Sequence, residues 1–336
     1  MLTYCLRRLA FSVPVLIFIS FAIFLLMDMA PNDPTANLPM SIPAETRAQL
    51  REALGMGDPL VARYLLWCKQ FFIHEPLNWL TDLTGLSFGD PDRLRVLSWA
   101  SRAPVVELIA ERLPQTLWVV GLSYLLGILI ALPVGIYSAY RQHGWFDHLG
   151  SFISMIGYSV PSFFLGVVVI VIFAVKLNWF PSVYDTTLTV TGWDSLMDQL
   201  RQMIMPVTIL ALYNAAQISR FMRASMLENL HHDYVRTARA KGASEPRVVL
   251  AHVARNSLLP VVTVIALGVP QVLAGAIITE QIFKINGIGE LLISSIQSGD
   301  LPVVQTLTFL FAVLIVLFNL LADIAYGLLD PRISYD

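Results

Sequence analysis

Six stretches of the chain run almost without charge: Leu9 to Met27, Leu113 to Tyr140, Leu149 to Val175, Gln202 to Ser219, Asn256 to Thr279 and Leu301 to Ala322. At 1.5 Å per residue each is long enough to cross the hydrocarbon of a bilayer as a helix. The pattern therefore predicts an all-α, polytopic membrane protein with six transmembrane helices. Proline and glycine recur inside these stretches, at Gly127, Pro133, Pro161, Gly166, Pro206, Gly268, Pro270 and Gly275. In lipid such residues are tolerated where neighbouring helices supply partners, and they mark bends or close packing.

The polar segments between the stretches orient them. Arg7-Arg8, Arg141, the charged segment after the fourth stretch and Arg332 fall on one side; the short opposite loops carry only Lys176, Arg201 and Lys284. This asymmetry places both termini inside. The first stretch exceeds the apolar core of a signal peptide and is followed by a poor cleavage site, so it reads as an anchor. The long segment from Asp28 to Arg112 then lies outside. It opens with turn chemistry at Pro31-Asn32-Asp33-Pro34. Helices are predicted over Pro43 to Leu54 and Pro59 to Phe72, the second with Leu60, Tyr64, Trp67 and Phe71 at helical spacing. Both a packed cap on the bundle and a docking surface for an external partner fit this segment. The expected organisation is an anchor helix at 1–27, an extracytoplasmic loop domain at 28–112, a transmembrane core at 113–327 and a tail at 328–336.

The charged segment from Met222 to Pro260 carries six basic residues: Arg223, Arg236, Arg239, Lys241, Arg247 and Arg255. Local signals predict two short helices with a break. Asp233 can cap the first, Gly242 can end it in the left-handed conformation, and Lys241 in the last turn suits the helix dipole. Ser244 can cap the second helix, with Glu245 and Pro246 in its first turn. Such an element suits anionic lipid headgroups or the grip of a partner protein; membrane spans on both sides argue against a DNA-reading helix-turn-helix.

Composition agrees. The chain has 336 residues, 56% hydrophobic and 14% charged, with a mean hydropathy of +0.66. The formal net charge of −2 gives no basic bias toward nucleic acid. Cys5 and Cys68 fall in different predicted compartments, so no disulfide between them is expected. His231 and His232 are adjacent and point to different helix faces, which suits solvent better than a metal. No GxxxxGK[ST] sequence occurs, so the chain itself is not expected to hydrolyse ATP. Neither a metal-spaced cluster nor a nucleophile–base constellation suggests an enzyme.

The segment Asp233-Tyr234-Val235-Arg236-Thr237-Ala238-Arg239-Ala240-Lys241-Gly242 resembles the cytoplasmic loop of permease subunits of ABC importers, in the branch that carries peptides, oligopeptides and nickel. Ala238 and Gly242 keep that loop's Ala-to-Gly spacing, and Leu259-Pro260 follows at the branch's distance. The motif's opening glutamate is missing. Further pieces are similar to the branch: Leu54-Gly55 with Asp58-Pro59-Leu60, Arg63-Tyr64 and Trp67, Gly85-Leu86-Ser87-Phe88-Gly89, Glu111 to Leu117, Glu280 to Gly289, Asn319 to Asp323, and Asp330-Pro331-Arg332-Ile333. Asn286 stands where relatives carry proline, and a turn is expected there either way.

The resemblance implies a type I ABC importer permease fold in a bacterial inner membrane, with a coupling loop at 222–258. It implies a second homologous permease, one or two cytoplasmic P-loop ATPases that carry the ATP and magnesium, and an extracytoplasmic solute-binding protein. It assigns ATPase coupling to Asp233, Tyr234, Ala238, Arg239, Gly242 and Ala243, with Ala238 and Gly242 small enough to fit a groove. Asn214, Gln217, Gln271 and Glu280 are the candidates to line a translocation path; Glu280 could also simply sit in the helix interface. Asn319 and Asp323, one helical turn apart, are expected to bond between helices. The alternative is a stand-alone secondary transporter or channel, against which the spans show no mid-membrane charged residue to couple an ion gradient.

Overall fold

The computed structural model describes residues 2–29, 43–46, 48, 57–86 and 95–329. Among these the chain is helical, apart from turns and one isolated antiparallel bridge between Leu97 and Pro104. The turn at Pro31 to Pro34, most of the helix expected over Pro43 to Leu54, Gly55, Ser87 to Gly89 and Asp330 to Ile333 lie outside the described residues.

In chain order the helices are α1 (Leu2–Asp28), α2 (Leu60–Lys69), α3 (Glu75–Thr84), α4 (Val105–Thr116), α5 (Leu122–Tyr140), α6 (Trp145–Ser159) and α7 (Ser162–Val169). There follow α8 (Trp193–Leu230), α9 (Asp233–Ala240), α10 (Glu245–Arg247), α11 (Arg255–Gly275), α12 (Ile277–Phe283), α13 (Ile288–Ser298) and α14 (Leu301–Leu329). Wide i→i+5 turns join several of them without interrupting the helical path, at Gln70–His74, Leu117–Gly121 and Val248–Ala254.

Among the described residues, four helical segments are long and apolar enough to span a bilayer: Arg7–Asp28, Val105–Tyr140, Glu245–Pro270 and Leu301–Ala325. A fifth candidate is the bent pair Trp145–Gly157 and Ser162–Lys176. The expected six spans thus depart from the structure at three places. The third stretch breaks at Val160, which is extended (φ −86°, ψ 125°) ahead of Pro161, because the proline ring disfavours helical geometry in the residue before it. The fourth stretch is the middle of α8, whose Gln202, Asn214 and Gln217 make it less apolar than the others. The fifth begins further upstream, since Glu245 leads into α11 with no break, and its helix ends at Gly275 rather than Thr279. Pro114 does not break its helix either: α4 continues through it, and the path widens three residues later.

The chain divides into two compact units. One comprises residues 1–9, 114–290 and 314–336; α8 is its central element. Helix α5 lies on α8 through a row of small residues four apart: Gly127, Ala131, Gly135 and Ala139. A Cβ on Gly127 would meet Asn214 Cβ at 2.9 Å, and one on Gly135 would meet Met222 Cβ at 2.7 Å and the Ser219 carbonyl at 2.8 Å. Small residues let two backbones approach closely where no hydrophobic driving force separates protein from lipid. In the same unit Arg8 pairs with Asp323 at 3.1 Å, so the carboxylate expected to bond between helices does so, through a partner at the other end of the sequence.

The second unit comprises residues 10–113 and 291–313. The expected helix from Pro59 is present as α2 and continues through Gln70–His74 and α3 to Thr84, with Pro76 directly after the wide turn. Tyr64, Trp67 and Phe71 converge with Ile23, Phe24 and Phe309 in one aromatic cluster. Segment 95–104 is held by two carboxylates. Glu75 accepts from the Val96 amide at 2.7 Å, and Asp300 accepts from Ser98 Oγ and from the amides of Trp99 (2.9 Å) and Ala100 (3.2 Å).

Candidate functional site

Helix α9 follows α8 after only His231 and His232. Its first helical residue is Asp233; the cap position falls to His232, and no side chain caps it. The expected cap at Asp233 is thus displaced by one residue, and its side chain points into solvent, 3.7 Å from Arg236. The other end is as expected. Gly242 takes φ +81°, its amide donates to the Arg239 carbonyl (2.9 Å), and the Ala243 amide donates to the Ala238 carbonyl (3.2 Å). This pair of bonds is the left-handed helix stop that glycine permits without a Cβ penalty. Ser244 occupies the next cap position in extended geometry, with no bond from its hydroxyl.

Helix α9 has two faces. Val235 and Ala238, one turn apart, are buried against Met222 and Met226 of α8 and against Val248, Val249 and Val253. Ala243 packs on the same cluster. The small side chain at Ala238 therefore packs into the chain's own core. Tyr234, Arg236, Thr237, Arg239, Ala240 and Lys241 face outward. Tyr234 donates to Asn229 Oδ1 at 2.8 Å and stacks on His232, which ties α9 to the last turn of α8. Arg239 reaches across the Gly242 turn to Glu245 (2.8 Å). Both groups are about half exposed, so the pair adds little stability but fixes the shape of the turn. A Cβ on Gly242 would meet nothing within 4 Å, so the turn is open to an outside partner.

Of the six basic residues, Arg223 does not belong to the outward face. It forms a two-pronged pair with Asp147 of α6, Nε to Oδ1 at 2.6 Å and Nη2 to Oδ2 at 2.8 Å, and Asp147 also accepts from the His143 amide. Planar guanidinium–carboxylate pairs of this kind are the stronger, directional ones. No local pattern foretells it, since the partners lie on different helices.

The candidate path residues lie in different settings. Asn214 is buried where α5 meets α8, beside Gly127. Gln217 is half-buried on α8, and the Gln271 side chain lies outside the description. Glu280 has no exposed surface. Its Oε1 accepts from Thr116 Oγ1 (3.0 Å) and its Oε2 from the Glu290 amide (3.0 Å), while Thr116 accepts from the Ile288 amide (2.8 Å). Of the two roles open to Glu280, this geometry is the interface one: the carboxylate caps α13 from a distance and closes the turn of Lys284 (φ +59°) to Gly287. The turn expected around Asn286 is there. Sequence reading also missed a polar network at the far end of α8. Tyr184 bonds Gln115 (2.9 Å) and Gln199, Gln202 bonds Gln199 (2.8 Å), and the Asp185 amide bonds Gln202 (2.8 Å). Burial there pushes the Tyr184 hydroxyl pKa up.

Two family models cover nearly the whole chain. Residues 131–335 match the binding-protein-dependent transport system inner membrane component, and residues 1–120 match the N-terminal region of such membrane components. The chain belongs to the binding-protein-dependent inner membrane permease family. Its relatives include the oligopeptide transport system permease protein AppB of Bacillus subtilis (strain 168), 37% identical over 336 residues and the full length of both chains. A putative peptide transport system permease protein of Brucella abortus (strain 2308) is 36% identical over 98% of each chain. A probable peptide ABC transporter permease protein of Sinorhizobium fredii (strain NBRC 101917 / NGR234) is 35% identical over 99% of each. The permease is thus a multi-pass inner membrane protein and the transport subunit of a binding-protein-dependent ABC importer, and the resemblance carried by residues 233–242 is borne out at the level of family.

Proposed function

We propose that this permease forms half of a translocation pathway for di- or oligopeptides or related small solutes, completed by a second homologous permease. An extracytoplasmic binding protein delivers the solute, and one or two cytoplasmic ATPases, carrying ATP and magnesium, drive the cycle. The observation that carries the peptide reading is the full-length similarity to permeases named for oligopeptide or peptide transport. The charge asymmetry of the loops supports cytoplasmic termini and a cytoplasmic α9.

In this reading the ATPases grip the outward face of α9 and the open turn at Gly242, with Tyr234 and Arg239 as contacts. Asp233 lies at the exposed edge of that surface, while Ala238 and Ala243 seat α9 on the permease. A push on α9 is carried by Val235 and Ala238 into Met222 and Met226, and so into α8, which at 38 residues is about 57 Å long. Nucleotide-driven closure would then bias a bundle with two stable packings, as coupling requires a difference in binding energy between them.

Uptake tests the function. The permease, reconstituted with its partner subunits and binding protein in vesicles, is expected to accumulate a labelled oligopeptide only with ATP present. Accumulation by this chain alone under an ion gradient would overturn the proposal in favour of a secondary transporter.

A further inference from the structure

Helices α2 and α3, with the wide turn between them, are inside-out for a segment in water. The positions they leave exposed recur at helical spacing: Val61, Leu65, Phe72, Ile73, Trp79 and Leu80 are each at least 40% exposed. Lys69 is the one charged residue among the exposed positions from 61 to 80. The face turned inward is the more polar. It carries Tyr64, His74, Asn78 and the buried Glu75, whose carboxylate holds the Val96 amide. A water-facing helix shows the opposite arrangement, and a contiguous apolar face of this length marks a contact with protein or membrane.

The depth of this segment identifies the occupant. Tyr64 Oη bonds Ser20 Oγ at 2.8 Å, and Ser20 lies eight residues, about 12 Å, inside the end of α1 at Asp28. Trp67, Phe71 and Phe72 pack edge-on against Phe309, which lies eight residues inside the start of α14. The cluster thus sits within the apolar length of two spans, below the level a soluble partner reaches. On α1, Phe11, Phe18 and Leu26 are likewise each more than 60% exposed. Lys69 suits the same setting, because its long stem can cover apolar surface while its ammonium reaches the headgroups. Arg63, paired with Asp28 at 2.5 Å, anchors the helix at the span's end.

We infer that residues 60–80 are immersed in the outer leaflet of the membrane, with Val61, Leu65, Phe72 and Ile73 against acyl chains and Trp79 at the interface, where its amphipathic ring is favoured. The segment is then a membrane-embedded collar on α1 and α14 rather than part of an aqueous loop domain. The inference needs only the chain's place in the membrane and not the proposed substrate or ATPase contacts.

The test is collision accessibility of nitroxide labels. Single cysteines replace Leu65, Ile73 or Trp79 in a Cys5→Ser, Cys68→Ser background, with Leu66 standing in where a label at 65 prevents assembly. Phe18 and the exposed loop residue Thr189 serve as lipid and water references. The permease is purified with its associated subunits and reconstituted in phosphatidylethanolamine–phosphatidylglycerol vesicles. Labels at 65 and 73 are expected to show an oxygen-to-nickel-chelate collision ratio as high as at 18, with 79 between the references. Ratios matching 189 would place the face in water and overturn the inference. Low collision with both reagents would mean that protein covers it, whether a second permease or a binding protein, and would overturn it equally. Neither result bears on whether the preparation transports peptide, so the two proposals fail separately.

Discussion

Replacing Gly135 with alanine is expected to destabilise the permease severely, and with leucine to abolish its accumulation in the membrane. The added Cβ would lie 2.7 Å from Met222 Cβ and 2.8 Å from the Ser219 carbonyl. Neither neighbour is the free end of a flexible side chain, so α5 and α8 must part. Overpacking by a single methyl group commonly costs about 1–3 kcal/mol, and leucine adds three more carbons at the same point. Against a total stability on the order of 5–15 kcal/mol, that loss is decisive. The same alanine placed at Gly121, where nothing lies within 4 Å, is expected to be silent. Membrane yield and thermal melting in detergent compare the two; equal behaviour would mean that α5 does not pack on α8 through this row.

The second large effect is expected at Glu280. Glu280→Gln keeps the size of the side chain but turns one of two accepting oxygens into a donor, facing either the Thr116 hydroxyl or the Glu290 amide. A buried donor left without an acceptor costs about 1–3 kcal/mol. Gly287→Ala attacks the same turn from the other side, because its Cβ would press within about 2.5 Å of the carboxylate. Both variants are expected to lower the melting temperature and to reduce uptake of every transported peptide alike. A double-mutant cycle of Glu280→Gln with Thr116→Val is expected to show coupling, as neighbours in one network do. A change in peptide preference at unchanged stability would instead make Glu280 a substrate contact.

What the sequence disclosed follows from the range of the signals. Hydropathy found the apolar stretches because crossing lipid leaves a mark on every residue in a run. Gly242 was legible because a glycine after a helical pattern has one cheap conformation, and the structure shows it at φ +81°. Prolines were ambiguous. Pro14, Pro133 and Pro206 lie inside continuous helices, whereas Pro161 follows the end of one and opens the next, and nothing in the local sequence separates the two cases. The pairs Asp147–Arg223, Arg8–Asp323 and Thr116–Glu280 join distant parts of the chain, so no periodicity foretells them. Ala238 is ambiguous for a related reason: a small residue on a helix reads the same whether a partner or the chain's own core requires it. The inverted polarity of residues 60–80 became visible only once burial showed which face points outward.

The claim that outside ATPases drive this permease through α9 is tested most directly by purifying it from its native membranes in mild detergent and identifying what accompanies it. The wild type is expected to bring a homologous permease and one or two P-loop ATPases. Gly242→Asn, which tolerates the left-handed turn, is expected to retain them. Gly242→Trp, which projects bulk from the open turn, is expected to insert normally yet lose the ATPases. Recovery of this chain alone or as a homo-oligomer from a preparation that still transports, or full retention of the ATPases by Gly242→Trp, would contradict the account.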